Sequence, residues 1–297
     1  MHTPVLLEES IKGLNLRSGN IFIDGTIGSG GHSEYVCKQY GNQVLIIGID
    51  VDKEAIDRTE KRLKKFNCQI HLVESNFRDL DEVLKKLKIQ TIDAILLDLG
   101  TSFDQLELAV DGVRRGFSFK RDEPLLMTLG QNSDINAMDI VNNWQEENIF
   151  QIINGYGEER FAKQIAKEII KTRKEKRIET TFDLVEIIEK AVPTWYRNKK
   201  IHCATKTFQA LRIAVNDELR SLEIVLKKGF EHLNVGGRIA VISFHSLEDR
   251  IVKKYFRQLK KEKIANIITK KPICPTRREV LDNPRARSSK LRILEKI

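Results

Sequence analysis

Short apolar runs alternate with amphipathic stretches through the first hundred residues. "IFID" (21–24), "VLIIGID" (44–50), "CQIHLV" (68–73) and "IDAILLDLG" (92–100) are each long enough for a buried strand, and helical patterns near 31–40, 53–65 and 79–88 lie between them. Buried strands alternating with such helices predict a parallel sheet covered on both faces. Near residue 100 the alternation stops. "GTSFDQLELAVDGVRRGFSFKRDEPLLM" has loop character, and from about 134 to 200 the pattern is wholly helical, broken at Pro193 and "RNKK". Phe208, Leu211, Val215, Leu219, Leu222, Leu226, Phe230 and Leu233 then follow at spacings of three or four. That stripe predicts one long helix, capped by Thr205 or Thr207 and ended by "NVGG". "RIAVISFHS" (238–246) returns to strand character. The chain therefore reads as an α/β domain interrupted by an all-helical insertion and then resumed.

Composition narrows the class. The chain has 297 residues, 41% hydrophobic and 31% charged, which suits a soluble globular protein. No run approaches the roughly 18 apolar residues of a membrane span. "MHTPVLLEES" has neither the basic start and apolar core of a secretory signal nor the Arg/Ser richness of a transit peptide, so a cytoplasmic protein is expected. Cys37, Cys68, Cys203 and Cys274 are scattered without a zinc or redox spacing. Four free thiols and no metal are expected.

The net charge of +9 is unevenly spread. Residues 160–206 hold 13 Lys/Arg against 6 Asp/Glu, and residues 250–297 hold 16 against 4, so the remainder is net acidic. Two basic segments on an acidic body suit a nucleic-acid partner, because Lys and Arg neutralise phosphates and release counterions. Solvated helix faces would give the same counts, and charge alone does not separate the two readings.

The chemistry gathers where strands end. "FIDGTIGSGGHSEYV" (22–36) runs from a strand through a glycine-rich turn into a helix. It has Gly28 and Gly30 but Ser33 where a dinucleotide fingerprint needs its third glycine, and no lysine follows as in a triphosphate loop. Glycines there let a ligand approach the backbone. Asp50 ends the second strand, 26 residues after Asp24, where an acid can accept hydrogen bonds from both ribose hydroxyls. Asp98 ends the fourth strand. Any one of these acids could be a helix cap or a surface turn. Together they describe a site for a nucleoside without a pyrophosphate, and S-adenosyl-L-methionine fits that description.

Longer segments resemble a known family. "HTPVLLEE" (2–9), "DGTIGSGGHS" (24–33), "DLGTSFDQL" (98–106), "RRGFSF" (114–119), "YGEERFAKQIA" (156–166), "ATKTFQALRIAVNDEL" (204–219), "GGRIAVISFHSLEDRIVK" (236–253) and "NPRARSSKLRILE" (283–295) resemble the bacterial methyltransferases of the MraW or RsmH family. These modify cytosine N4 of small-subunit ribosomal RNA. The resemblance spans essentially the whole chain, in order. It implies a class I, Rossmann-like S-adenosylmethionine-dependent methyltransferase domain with an inserted helical domain. The expected parts are 1–107, first part of the methyltransferase domain; 108–204, inserted helical substrate-recognition domain; and 205–297, second part. It further implies cofactor contacts at Gly30, Gly31, His32, Asp50, Phe77, Asp98 and Gln105, with Phe77 against the adenine. The implied partner is small-subunit (16S) ribosomal RNA or the assembled small subunit, with the target cytidine in the decoding region. The oligomeric state is left open, a homodimer included.

Methyl transfer to an exocyclic amine needs no covalent enzyme intermediate, so positioning and preorganised electrostatics supply most of the rate. Asp98 is the first candidate to accept the amine's N–H bonds or proton, and His245, also at a strand end, is the second. Ser246 before "LEDR" equally suits a helix start, with His245 in the turn. Candidate RNA contacts are Arg114, Arg115, Phe117 and Phe119, where cations and aromatics interleave, then Lys206, Arg212 and Asn216, and Arg285 and Arg287 near the end. "FSF" packing between the insertion and the sheet, an Arg212–Asn216 bond, and a strand in "KLRIL" are the plainer alternatives. The chain departs from the family pattern where Phe103 replaces a serine, where Leu126 and Thr128 replace an acid and an arginine in "EPLLMTL", and where Lys206 replaces an arginine. Loss of the acid and arginine together admits a second reading, a weak or inactive relative that serves as an RNA-binding assembly factor.

Overall fold

The computed structural model describes residues 4–100, 114–130 and 135–297. Two compact units emerge, one from Met1–Gly100 with Leu219–Ile297 and the other from Thr101–Glu218.

In the first unit the apolar runs become β1 (Ile21–Asp24), β2 (Leu45–Asp50), β3 (Gln69–Glu74) and β4 (Ile92–Asp98). Between them stand α1 (Leu7–Leu14), ahead of β1, then α2 (Gly31–Tyr40), α3 (Lys53–Leu63) and α4 (Leu80–Lys86). Alternate residues of each strand face opposite layers. Phe22, Ile46, Ala94 and Leu96 pack with Ile11 and Leu14 of α1, Val36 of α2 and Leu63 of α3. Ile23, Ile47, Ile95 and Leu97 pack with Leu80, Val83 and Leu84 of α4 on the other face.

The second unit carries α5 (Ala137–Asn143), α6 (Glu146–Gly157), α7 (Ala162–Thr172), α8 (Thr181–Ala191), α9 (Thr194–Arg197) and α10 (Thr205–Asn216). Capping boxes start two of them, Asn136 with Asp139 before α5 and Thr180 with Asp183 before α8. Its separate core includes Ile140, Ile149, Ile153, Ile165, Ile169, Leu184, Ile188, Phe208 and Leu211.

The chain then returns to the sheet through α11 (Glu218–His232), β5 (Leu233–Ser243), α12 (Ser246–Lys261), β6 (Ala265–Ile267), α13 (Arg277–Asp282) and β7 (Lys290–Lys296). The sheet order is β3-β2-β1-β4-β5-β7-β6, with β1 to β5 paired in parallel and β7 antiparallel to both β5 and β6. The chain steps from β1 outward to β3, then crosses back to β4 on the other side of β1. That reversal opens a crevice between the carboxyl ends of β1 and β4, where open α/β sheets bind ligands.

Three expectations are corrected. The apolar stripe from Phe208 to Leu233 is not one helix, because Asp217 adopts φ 48° and ends α10. Phe208, Leu211 and Val215 serve the helical core, whereas Leu222, Leu226 and Phe230 serve the sheet. A stripe at unbroken spacing thus feeds two cores. "NVGG" is not a helix end but lies within β5, where Gly236 at φ 80° accompanies a register shift against β4. Cys37 of α2 and Cys68, just before β3, form a disulfide with their Cα atoms 5.5 Å apart, leaving only Cys203 and Cys274 as thiols. The chain between them folds out through β2 and α3 and back, a return that linear spacing does not reveal. Among the described residues no helix is long and apolar enough to cross a membrane.

Candidate functional site

Three aspartates stand at the carboxyl ends of three neighbouring strands, Asp24 on β1, Asp50 on β2 and Asp98 on β4. Asp24 is 1% exposed. Its Oδ2 accepts from Ser33 Oγ at 2.6 Å, one turn into α2. Burial, only partly offset by Ser33 and the Thr26 N–H, pushes its carboxyl up to about 6. Asp50 retains some solvent contact, yet desolvation pushes it also up to about 6, against hydrogen bonds from the Asp52 and Gly28 N–H groups. Asp98 is raised well above the usual carboxylate range by burial first, then by the charges of Asp24 and Glu248. Thr26 joins β1 to β4, its Oγ1 accepting from the Asp98 N–H at 2.7 Å.

The glycine-rich turn hangs from this acid set. Gly28 N–H donates to Asp50 Oδ2 at 2.9 Å, and Thr59 Oγ1 donates to the Gly28 carbonyl at 2.9 Å. Gly30 sits at φ 75°, and a Cβ there would come 2.7 Å from Thr59 Cγ2. A Cβ on Gly31 would collide with Pro4. These glycines are therefore required by the protein's own packing, which the ligand-approach reading overlooked. His32, at the start of α2, is buried, with Nε2 3.2 Å from the Val5 carbonyl and Nδ1 3.9 Å from Asp98 Oδ2. A carbonyl only accepts, so Nε2 carries a proton, and Nδ1 faces Asp98. Phe77 is half-buried and packs against the sheet core, its Cβ 3.8 Å from where a Gly25 Cβ would stand. Gln105 and Phe103 lie outside the described residues.

Asp24 Oδ1 and Asp98 Oδ1 are buried and have no hydrogen-bond partner among the described residues. Buried carboxylate oxygens without partners are costly, and a bound cation or donor would relieve them. The set is made of acids and sits at the crevice between β1 and β4, where it fits a positively charged sulfonium ligand.

His245 has a structural position. It is the N-cap of α12, and Glu248 closes the box by accepting from the Phe244 N–H at 2.8 Å and the His245 N–H at 3.2 Å. The helix starts at Ser246, as the sequence suggested, and His245 in the turn before it is the cap. Glu248, buried and electrostatically felt by Asp98, was missed; its only sequence signal was its place in "HSLE". Asp24 entered the sequence reading as a strand end without an assigned role, and Thr26 did not enter it, although the strand-end "DGT" held both.

Most candidate RNA residues are engaged within their own unit. Arg114 lies 3.5 Å from buried Glu123, and Arg115 Nη1 donates to the carbonyls of Thr128 (3.1 Å) and Leu129 (2.6 Å). Phe117 and Phe119 pack on the helical core, and Phe119 stacks on His202 at 4.6 Å. Lys206 Nζ donates to the Glu158 carbonyl at 2.6 Å. Arg212 pairs twice with Glu218, at 2.8 and 2.9 Å. Asn216 Nδ2 donates to the carbonyls of Met127 (2.7 Å) and Arg212 (2.8 Å), and its Oδ1 accepts from the Leu129 N–H at 2.8 Å. Half-buried Leu126 and Thr128 thus lie in a segment held from both sides. In the other unit Arg285 and Arg287 sit in a short turn before β7, Arg287 exposed. "KLRIL" forms β7, and Arg292 pairs with Asp249 at 2.7 and 3.2 Å.

Glu189, His202 and Cys203 bring ligand-type atoms within 4.8 Å of one another. The Ala204 N–H donates to His202 Nδ1 at 3.2 Å, so the proton resides on Nε2, which faces Glu189 at 4.0 Å. This is an imidazole held by hydrogen bonding and not one offering a lone pair to a metal.

Comparison with known proteins agrees with this geometry. Over 296 residues the chain is 46% identical to ribosomal RNA small subunit methyltransferase H of Sulfurihydrogenibium sp., covering all of this chain and 99% of that one. It is 44% identical to the protein of the same name from Halothermothrix orenii and 41% identical to that from Brevibacillus brevis, each alignment covering all of this chain and 98% of the relative. The model of the MraW methylase family matches residues 1–297. A Rossmann-like sheet with its acids gathered at the β1–β4 crevice, and a family match running from end to end, make this chain a methyltransferase belonging to the MraW methylase family.

Proposed function

We propose that the chain transfers a methyl group from S-adenosyl-L-methionine to N4 of a cytidine in the decoding region of small-subunit ribosomal RNA. The carrying observation is the convergence of Asp24, Asp50 and Asp98 at the β1–β4 crevice, with two buried oxygens that have no hydrogen-bond partner among the described residues. When bound, the cofactor supplies an electrophilic methyl on a sulfonium centre. Asp24 and Asp98 then balance positive charge that a neutral site would not hold. Asp50, already bracing the turn through Gly28, turns its remaining lone pairs to the ribose hydroxyls. Asp98 accepts the N–H bonds of the exocyclic amine, and its raised affinity for protons suits it to take the one that the amine must lose. Gly30, Gly31, His32 and Phe77 complete the cofactor's surroundings among the described residues.

The names of the relatives support ribosomal RNA as the substrate, and the basic segments support a phosphate-rich partner. The helical unit is the part that reads that substrate, and the ribosomal target makes the cytoplasm the working compartment. The test is transfer of labelled methyl to small subunits from a strain lacking the enzyme, followed by nucleoside mass spectrometry. N4-methylcytidine should appear, and Asp98→Ala should abolish it. Cofactor binding without any transfer would overturn the reading in favour of a non-catalytic assembly factor.

A further inference from the structure

The helical unit displays an aromatic cluster that no part of the site uses. Trp195, in α9, is 52% exposed, unusual for the largest side chain in a unit with a well-filled core. Its ring stands edge-on to Phe161 at 6.0 Å and to Tyr196 at 5.7 Å, and those two meet at 4.9 Å. The support beneath is rigid. Tyr196 Oη donates to Glu159 Oε2 at 2.7 Å, while Glu159 Oε1 accepts from the Phe161 N–H at 2.9 Å. Glu159 is 2% exposed, so its charge is spent inside the unit, where it also raises the Tyr196 hydroxyl above its ordinary range after desolvation.

Cations ring the cluster. The Arg160 guanidinium lies 5.8 Å from the ring centres of both Phe161 and Trp195, and Lys199 Nζ lies 4.9 Å from those of Trp195 and Tyr196. Residues 194–200, "TWYRNKK", carry three cations and no acid. An exposed indole with two solvent-exposed cations over its ring is the chemistry of a single-stranded nucleic-acid platform, in which a base stacks on the ring as the long cationic side chains swing out to the flanking phosphates. An apolar protein partner would leave Arg160, Lys199 and Lys200 desolvated and unmatched.

We propose that Trp195, with Arg160 and Lys199, is a stacking platform for an unpaired segment of the RNA substrate. The proposal rests on the RNA reading above and deepens it, adding a docking point on the helical unit. Stacking of one base contributes enough that its loss weakens binding about tenfold or more.

The chain holds two tryptophans, Trp144 and Trp195, so Trp144→Phe leaves Trp195 as the sole indole reporter. Single-stranded oligoribonucleotides from the small-subunit decoding region should quench its fluorescence, with affinity falling steeply as salt rises. A fully paired duplex of the same sequence should quench far less. Trp195→Ala, and separately Arg160→Glu with Lys199→Glu, should raise KM for small subunits about tenfold, leave kcat little changed, and leave cofactor affinity by calorimetry unchanged. Trp195→Phe should largely restore KM, which separates stacking from folding. Methylation with unchanged KM in Trp195→Ala, or equal quenching by duplex, overturns the platform while the enzyme's function stands. Quenching by single strands with no methylation of any subunit retains the platform and overturns the reaction.

Discussion

Asp24 and Asp98 end adjacent parallel strands, and each keeps one buried carboxylate oxygen without a hydrogen-bond partner among the described residues. Each raises the proton affinity of the Asp98 site, Asp24 by its charge and Asp98 by its own burial. Such a pair is a poor way to stabilise an empty fold and a good way to prepare for a cation. Asp98→Asn should therefore lower kcat about 100- to 1000-fold, the scale seen when one preorganised polar group is removed. It should leave the melting temperature of the free protein unchanged or higher, because like-charge repulsion is relieved. Stopped-time methyl transfer and thermal melts measure both. A variant that melts much earlier than the parent would mean that Asp98 is mainly structural.

The pH dependence has a definite sign. Asp24 and Asp50 in the folded protein titrate near 6, above the ordinary aspartate value of 3.8. The folded state therefore holds protons more tightly than the unfolded one. For these groups the stabilising contribution is full below 3.8, declines as pH rises through the interval to about 6, and stays low above it. A cationic cofactor prefers the ionised carboxylates, so its affinity should rise with pH through 6 and level off above 7. Calorimetric titrations at pH 5, 6, 7 and 8 should show this, with proton release on binding near pH 6. Affinity that is flat across that range would remove Asp24 from the cofactor's charge balance and Asp50 from the ribose contact.

Much of the sheet was legible because its strands repeat a simple rule. Phe22 and Ile23, or Leu96 and Leu97, alternate between two apolar layers, and the runs that contain them end in the acids that matter. The helix from Phe208 to Leu233 was misread because hydrophobic spacing does not say which core a side chain enters, and Asp217 gives no local breaker signal. The candidate site was half-legible for a related reason. Asp50 and Asp98 are visible as strand ends, whereas the engagement of Arg115 with two carbonyls, or of Asn216 with Met127 and Leu129, is fixed only by distant chain returning. Trp195 carried no periodic signal at all, since its role follows from exposure.

The Cys37–Cys68 disulfide ties α2, which follows the glycine-rich turn, to the start of β3, across a sequence separation of 31. Closing a loop of that length restricts the unfolded chain by about 4 kcal/mol in the chain-entropy treatment. Reduction, or Cys37→Ser, should therefore lower the melting temperature of the sheet unit by several degrees. Cys203→Ser and Cys274→Ser, which touch no disulfide, should not reproduce the loss. Thiol counting under denaturing conditions checks the premise, because the protein as isolated should expose two reactive thiols before reduction and four after.

Asn216 anchors the segment that holds Leu126 and Thr128, the positions at which the sequence resemblance led to the expectation of an acid and an arginine. Its amide gives and takes hydrogen bonds at Met127 and Leu129, and Arg115 holds the carbonyls of Thr128 and Leu129 from the other side. Met127 is buried in the helical core at φ 57°, a left-handed conformation that needs such support. Asn216→Ala leaves the Leu129 N–H and Met127 carbonyl without those partners and should cost about 1–3 kcal/mol in the helical unit. Hydrogen exchange should show faster exchange at 123–129 while the sheet unit keeps its protection. Leu126→Asp with Thr128→Arg, which introduces the pair expected from the sequence resemblance, should leave that protection intact, because the segment is held by Asn216 and Arg115 and not by the side chains of residues 126 and 128. Loss of protection in the double variant, together with full protection in Asn216→Ala, would reverse that assignment.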